Sequence, residues 1–482
     1  MTLFDSVLAF FPQVRSPQQR KLPFNEKLKW TLLMLIIFFV LGLVPLYGLG
    51  ENALAQFEFL SIILGASFGS IISLGIGPLV TSSIVLQLLS GTGILKFDLV
   101  SPEGKKRYHG YQKLLSVFFI IFEACVYVFM GGLAPAPVGT VLPSGLSMTS
   151  VLFREFELVL VAQLILGGLI IMFMDEVISK WGFGSGISLF IVGGVAQQIF
   201  IRLLNPLAST SNAAAGIVLG YPFGSEAPVG KLWEILYGLS QGDPTMIALA
   251  IGTIVATLVI FAVCVYGQAM KVEIPLSFGK VRGYGMRWPL NFFYTSNIPV
   301  ILVAALMANI QLFATLFERW GHPILGTFSG NSPISGIVFW ISPPNLLQSI
   351  IEGSFTGDMI VRALLYTILF IVGSIIFSVF WVQTANMDAA SQAKQIMNSG
   401  LQIPGFRRDE RVLEKVLNRY IWPLTIVGGG AVGLLAATAD LLGSLSQGTS
   451  ILLSVMIVYK LYEEIAKQHV MDLHPAMRKF VE

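Results

Sequence analysis

Charge is scarce in this 482-residue chain: Asp, Glu, Lys and Arg together make up 12% of it, against 55% hydrophobic residues. Mean hydropathy is +0.76. That balance excludes a water-soluble globule, because too little polar surface exists to cover so much apolar side chain. Cysteine is almost missing. Cys125 and Cys264 are the only two and both fall inside apolar runs, which excludes a disulfide framework and metal-thiolate spacing and leaves them as small packing residues. The four histidines, His109, His322, His469 and His474, fall in predicted loops or the tail. Neither His-Glu-x-x-His nor a glycine-rich loop ending in Gly-Lys-Ser/Thr occurs, so metal-assisted and ATP hydrolysis lack their residues. One hydrolase-like string, Gly65-Ala66-Ser67-Phe68-Gly69, needs a strand-turn-helix and a histidine partner. The expectation is a non-enzyme with no cofactor and no resident metal. No cleavable signal peptide is expected either, since Phe10-Phe11-Pro12 follows a short mixed segment; Met1–Phe11 reads instead as an interfacial helix.

What the chain has in abundance is long apolar runs. Spans of the length that crosses a bilayer, roughly 17–25 residues, fall at Trp30–Leu49, Ile72–Ser90, Leu114–Leu133, Glu157–Met174, Ile187–Leu204, Met246–Ala269, Phe292–Leu316, Ile360–Val382, Ile421–Leu442 and Thr449–Ala466. With ten spans, all but five of the 30 Lys and Arg lie on the face that bears both termini, the exceptions being Arg154, Arg202, Lys231, Arg319 and Arg362. That asymmetry orients both termini to the cytoplasm of a cell membrane. The expected fold is an all-α polytopic membrane protein of ten transmembrane helices in two pseudo-symmetric inverted halves of five. Its expected divisions are a cytoplasmic segment 1–29, a first half 30–204, an external loop 205–245, a second half 246–466 with cytoplasmic loops 270–291 and 384–420, and a tail 467–482. The outer segments Gly131–Thr149, Asn205–Thr245 and Gly321–Asp358, rich in Gly, Pro, Ser and Ala, read as short caps and turns.

The second span carries Ser73-Leu74-Gly75-Ile76-Gly77-Pro78-Leu79-Val80-Thr81 in its early turns. Irregular backbone at bilayer depth survives only where protein or a water-filled cavity surrounds it. The second half has a similar string in its own second span, Ile298-Pro299-Val300-Ile301. Paired interruptions point to inverted repeats with a site between them; two unrelated kinked helices are the plainer alternative. Just before the first break, Asn52–Ala66 is apolar on one face but too short to span. It is either a plug folded back into the centre or an amphipathic helix on the outer surface.

Beside the breaks lie branched aliphatics: Ile76 and Val80, Ile187 and Ile191, Ile301, and Leu453 in the last span. Each alone is ordinary helix packing; together they could form a greasy collar of the kind that gates pores by excluding water. The turns Gly279-Lys280-Val281-Arg282-Gly283 and Pro404-Gly405-Phe406-Arg407-Arg408 either set topology alone or dock a polyanionic or acidic partner. An ion-coupled secondary transporter of a small solute is the rival reading, since such proteins share broken spans but keep ionisable groups at mid-membrane. Glu123 is the one clearly intramembrane acid, held by a neighbouring hydroxyl or by a partner subunit, with Asp175 and Glu176 at the inner end of the fourth span and Asp440 near the outer end of the ninth.

Phe24–Trp30, Leu74–Thr81, Gln87-Leu88-Leu89, Gln112-Lys113-Leu114-Leu115, Asp175–Ser188, Ser296–Leu302, Pro404–Arg408 and Asn418-Arg419-Tyr420-Ile421 together resemble the SecY/Sec61 alpha family, the large subunit of the protein-conducting channel, archaeal type. The likeness covers essentially all ten spans. It implies a translocase pore that moves unfolded polypeptides across the membrane and releases transmembrane segments sideways into lipid. The family's pore ring falls on Ile76, Val80, Ile187, Ile191, Ile301 and Leu453 and its plug on about Asn52–Ala66. Its lateral gate lies between spans two and seven, with Thr81, Gln87 and Asn297 as polar members. Ribosome docking falls on Lys280, Arg282, Arg407 and Arg408. Implied partners are SecE/Sec61 gamma-type and Sec beta-type small subunits, the ribosome, signal peptides, nascent chains and membrane lipid, with no direct contact to DNA. Two departures stand out: the outer loops at 205–245 and 321–358 are long, and Trp422 breaks a string that is otherwise proline-containing.

Overall fold

The computed structural model of the chain describes residues 14–17, 22–52, 66–91, 94–95, 102–140, 149–208, 219–278, 285–295, 297–329, 332–398, 401–402 and 409–473. It is predominantly helical. Helix α1 (Phe24–Leu43) starts after Pro23 and leads to the short strand β1 (Leu49–Asn52). Residues 70–76 then descend through consecutive turns, with Ser73 N–H donating to the Ser70 carbonyl at 3.0 Å and Gly75 N–H to Ile72 at 2.9 Å. Gly75 takes a left-handed φ of 56° there, which a β-branched residue would resist. Only at Gly77 does helix α2 (Gly77–Gly91) begin. The expected kink is therefore a helix start: Pro78 stands in the first turn, where its missing N–H costs no intrahelical bond. Pro299 does the same at the head of α8 (Ile298–Arg319).

Between these two helices come α3 (Pro102–Phe129), strand β2 (Leu133–Pro135), α4 (Ser150–Trp181), α5 (Gly186–Leu204), α6 (Lys231–Gln241), α7 (Pro244–Ala269) and the strands β3 (Lys271–Phe278) and β4 (Gly285–Asn291). Helix α3 starts well before its apolar run, because the polar stretch from Glu103 onward has adequate helix propensity without burial. His109, expected in a loop, consequently sits on this helix, and His469 likewise falls within a helix, at the end of the chain. Gly167 lets the loop before α2 pass close to α4: a Cβ there would lie 1.9 Å from the Ile71 carbonyl oxygen.

Strands β5 (Phe328–Ser329) and β6 (Ser332–Pro333) follow α8. Then come α9 (Gly336–Ile341), α10 (Leu346–Ile351), α11 (Gly357–Thr384), α12 (Ala389–Asn398), strand β7 (Leu401–Gln402), α13 (Glu410–Leu441) and α14 (Gly448–Leu473). The outer loops are more than caps and turns. Helix α6 lies within 205–245, and a two-stranded hairpin with α9 and α10 occupies 321–358. The all-α expectation is corrected most clearly on the face with the basic loops. There β3 pairs antiparallel with β4 and with β7, in the order β4-β3-β7. One sheet thus joins two segments more than a hundred residues apart, over a small core of Ile274, Leu290, Ala393, Leu413 and Leu417.

Seven described helices are long and apolar enough to cross a membrane, namely α3, α4, α5, α7, α8, α11 and α13, and Gly77–Ser90 is a shorter apolar helix. Helix α8 is enclosed along most of its length, from Pro299 to Leu316. The outer helices instead expose Leu32, Phe118, Leu258, Ile368 and Leu434, a belt suited to lipid and not to water. Helices α11 and α13 approach closely through glycine: a Cβ at Gly429 would lie 2.2 Å from Ser378 Oγ and one at Gly433 2.8 Å from Ser374 Oγ. Small residues at contacts of this kind let apolar helices pack without a hydrophobic drive.

Candidate pore and gate

The six expected collar residues come from four chain segments and fall within one extensive hydrophobic core that also takes in much of the other helices. Ile76, Val80, Ile191, Ile301 and Leu453 belong to a single hydrophobic cluster, and the half-buried Ile187 packs against it. Each is positioned by a local device. Ile76 ends the turn run before α2, and its carbonyl accepts from Val80 N–H at 3.0 Å, which sets the two one turn apart. The head of α5 is held by Asp175 Oδ1, which accepts from Ile187 N–H at 3.0 Å. Gly186 makes this approach feasible, since a Cβ there would fall 2.6 Å from the Asp175 Cα. Ile301 N–H donates to the Asn297 carbonyl at 3.1 Å in the first turn of α8. The head of α14 is held by Asp440, which accepts from Thr449 N–H at 2.7 Å and from the Thr449 hydroxyl, and Tyr366 OH donates to the same carboxylate at 2.6 Å. Leu453 follows one turn later.

Against one side of the collar lies a cavity of about 760 Å³. Val80, Ile187 and Ile301 form part of its wall, and Gln87, Gln112, Asn297, Asn386, Lys460 and Glu464 line it with polar groups. Ile76, Ile191 and Leu453 are not in that wall and are at most 1% exposed. The result is a partly polar vestibule that ends on aliphatic side chains. Such a surface offers water no hydrogen bonds and a sliding polypeptide no strong binding site.

Helix α2 packs against α3, α8 and α11, and its polar bonding to α3 and to α8 differs. Toward α3 there are three side-chain links: Ser82 Oγ to Ser116 Oγ at 2.7 Å, Gln112 Nε2 to Ser83 Oγ at 2.8 Å, and the Thr81 hydroxyl to Glu123 Oε1 at 3.2 Å. Toward α8 the described residues show one, Asn309 Nδ2 donating to Thr81 Oγ1 at 2.9 Å. The α2–α3 pair is tied together; the α2–α8 seam is held mostly by apolar contact. Of the expected gate residues, Thr81 bridges the seam, through its bond with Asn309. Gln87 and Asn297 are 3% and 4% exposed and line the cavity, and Gln87 Oε1 has no hydrogen-bond partner among the described residues. Glu123 Oε1 accepts from the Thr81 hydroxyl, and its Oε2 has no hydrogen-bond partner among the described residues.

Asn309 was missed by the sequence reading, though an amide in the middle of an apolar run is itself a signal for an interhelical bond. Replacing it by alanine removes the polar link across the seam. At about 1 kcal/mol for such a bond, Asn309→Ala raises the population with α2 and α8 apart by about fivefold, as read by energy transfer between labels on the two helices. An unchanged population would mean that packing alone closes the seam.

Of the expected plug, 52–66, residues 53–65 lie outside the described residues, as do the expected docking residues Lys280, Arg282, Arg407 and Arg408. Their attachments are described. Asn52 Nδ2 donates to the Phe68 carbonyl at 3.0 Å, which ties the described residues on the two sides of segment 53–65 to each other. The two basic turns leave the single sheet formed by β3, β4 and β7.

The SecY family profile matches residues 70–462, and that of the plug domain of Sec61p matches residues 36–69. A protein translocase subunit SecY from Methanothermobacter thermautotrophicus is 42% identical over 99% of this chain and 98% of that relative. A solved protein-conducting channel superposes with a TM-score of 0.79 at 37% identity, covering 98% of each chain. Sec61 from the canine ribosome-channel complex of the endoplasmic reticulum gives 0.76 at 36% identity, again over 98% of each. With matched sequence running from the first span through the last, this chain belongs to the SecY family.

Proposed function

We propose that the chain is the central subunit of a protein translocase and forms the passive pore through which unfolded polypeptides cross the membrane. One observation carries this reading: a vestibule of about 760 Å³ that ends on buried aliphatics from four segments, beside a helix seam with a single polar bond among the described residues. The first feature suits an axial passage and the second a sideways exit. Helices α1, α2, α3, α4 and α5 supply the first five spans and α7, α8, α11, α13 and α14 the second five, as two inverted halves that meet at α2 and α8. Both termini face the cytoplasm. Segment 52–66 closes the outer side as a plug, and Ile76, Val80, Ile187, Ile191, Ile301 and Leu453 form the ring.

The exit is a partition decision. Each Leu, Ile, Phe or Val at a helix centre favours lipid by about 0.3–0.6 kcal/mol, while each Asp or Lys there opposes exit by about 2.5–3.5 kcal/mol. Some ten apolar residues of a signal peptide therefore gather several kcal/mol, enough to shift a closed-to-open balance of a few kcal/mol. A small SecE/Sec61 gamma-type subunit clamps the halves, a Sec beta-type subunit sits at the periphery, and the ribosome docks on Lys280, Arg282, Arg407 and Arg408.

A ribosome-arrested nascent chain crosslinks to photoreactive residues placed at 76 and 301 but not to one placed at the lipid-exposed position 258. Saturable uptake of a small solute without those crosslinks would replace this reading with ion-coupled transport. Arg407→Glu weakens ribosome co-sedimentation by about tenfold at low ionic strength, because a like charge now faces the phosphate backbone, and the deficit narrows as salt screens it. Undiminished binding at low salt would remove this turn from the docking surface.

A further inference from the structure

Three side chains at the end of helix α4 bond to the main chain of the N-terminal segment, and neither the collar nor the seam uses them. Glu176 Oε1 accepts from Val14 N–H at 3.3 Å, and Lys180 Nζ donates to the Val14 carbonyl at 2.5 Å. The same Oε1 accepts from Lys180 Nζ at 2.8 Å. Carboxylate, ammonium and peptide residue thus close one ring. Trp181 Nε1 adds a bond to the next carbonyl, that of Arg15, at 2.9 Å. Every contact to the segment ends on backbone.

The chemistry of that ring identifies what fits it. An extended residue offers one N–H and one C=O on the same side, and a hydrogen-bonded antiparallel pair satisfies both. Glu176 and Lys180, four residues apart on one helix face, present the matching acceptor and donor. Their charges strengthen bonds to neutral backbone groups. Lys113 Nζ holds the other carboxylate oxygen at 2.9 Å, so α3 fixes Glu176 independently of the segment it receives. The Val14 side chain has no polar atom and takes no part.

The clamp sits where α4 leads into α5. Asp175, the chain neighbour of Glu176, holds the head of α5 through Ile187 N–H. Two residues past Trp181, Phe183 N–H donates to Thr31 Oγ1 of α1 at 3.0 Å, and the ring centroids of Trp30 and Trp181 lie 5.7 Å apart. Helices α1, α3 and α5 are all tied to this one helix end. We propose that Glu176, Lys180 and Trp181 form a sequence-independent clamp for extended polypeptide main chain, that its occupant is this chain's own residues 14 and 15, and that occupancy steadies the turn from α4 into α5 that carries Ile187. The inference rests on the bonds at the end of α4 and not on the pore reading.

The test is hydrogen–deuterium exchange on the complex purified with its small subunits, read at the amides of Val14, Phe183 and Ile187. In the wild type Val14 exchanges about tenfold more slowly than an unstructured amide, the protection given by one charge-assisted hydrogen bond at a half-buried site. Lys180→Met keeps the apolar stem but donates nothing, and it removes most of that protection. Val14→Pro deletes the segment's N–H donor and speeds exchange at Phe183 and Ile187 by about fivefold, whereas Val14→Ala leaves both at the wild-type rate. Val14 is no member of the hydrophobic core, so its substitution reports on the clamp and not on global unfolding. A wild-type Val14 amide that exchanges like an unstructured one overturns the proposal, because the clamp would then stand empty. Unchanged exchange at Phe183 and Ile187 in Val14→Pro overturns the bracing, and an alanine variant as fast as the proline one overturns main-chain recognition. Protection at Val14 that vanishes when an unfolded peptide is added at micromolar concentration, far below the effective concentration of a tethered segment, would assign the clamp to a polypeptide arriving in trans instead.

Discussion

The double variant Ile76→Gly/Ile191→Gly raises resting ion conductance in planar bilayers by about tenfold or more. Both side chains are at most 1% exposed and lie beyond the vestibule wall, where Val80, Ile187 and Ile301 face the cavity. Their removal deletes eight carbon atoms from the buried side of the proposed collar. A water molecule takes up about 30 Å³ of liquid, so the vacated space admits several, and a dewetted constriction that fills with water stops excluding ions. Each truncation also destabilises the core by about 2–5 kcal/mol, so conductance is normalised to the number of reconstituted channels. Ile76→Val/Ile191→Val keeps the apolar lining and leaves the resting conductance close to wild type. A flat conductance in the glycine variant would move the seal away from the collar and onto segment 53–65.

Asp440→Ala destabilises the protein by about 3 kcal/mol or more and makes the channel leak. Thr449 N–H, the Thr449 hydroxyl and Tyr366 OH all donate to this one carboxylate, and each donor left unpaired in a buried site costs about 1–3 kcal/mol. The positional effect follows from connectivity. Thr449 opens the first turns of α14, and Leu453 lies one turn on, so loosening the helix head displaces a collar residue. Asp440→Asn keeps a single acceptor oxygen and loses less than half as much stability. Thermal unfolding and resting conductance are read on the same preparation. An alanine variant within about 0.5 kcal/mol of wild type would mean that packing around Gly448, where a Cβ would lie 2.0 Å from the Ala439 carbonyl carbon, anchors the helix without the carboxylate.

Much of the fold was legible in the sequence because hydropathy is a local property. The apolar runs at 157–174, 187–204 and 246–269 fall within α4, α5 and α7, and the breaks at Gly77-Pro78 and Pro299 both mark irregular backbone. Their form was read less well. Proline in a hydrophobic run suggests a kink when the run is taken as one helix, and only the hydrogen bonds of residues 70–76 reveal that the helix starts there. The outer loops concealed α6, α9 and α10 because short helices with mixed composition carry too little periodicity. Strands β3 and β4 were hidden behind their basic turn, and β7 consists of two residues that have no strand character until β3 lies beside them.

The candidate gate was legible only on one side. Thr81 could be named from the resemblance, whereas its partner Asn309 is 228 positions away, and no spacing rule connects them. The same holds for Tyr366 beside Asp440, 74 positions away.

By itself, the sequence determined that this is a membrane protein with broken spans and a strongly biased distribution of basic residues, because apolar length, proline and charge act on each segment independently of its neighbours. The tertiary structure alone decided which aliphatics share one cluster, that α2 is bonded more heavily to α3 than to α8, and that two remote loops form one sheet. Those outcomes depend on which faces meet once the helices are assembled, and a contact between residues hundreds of positions apart leaves no periodic trace in a single chain.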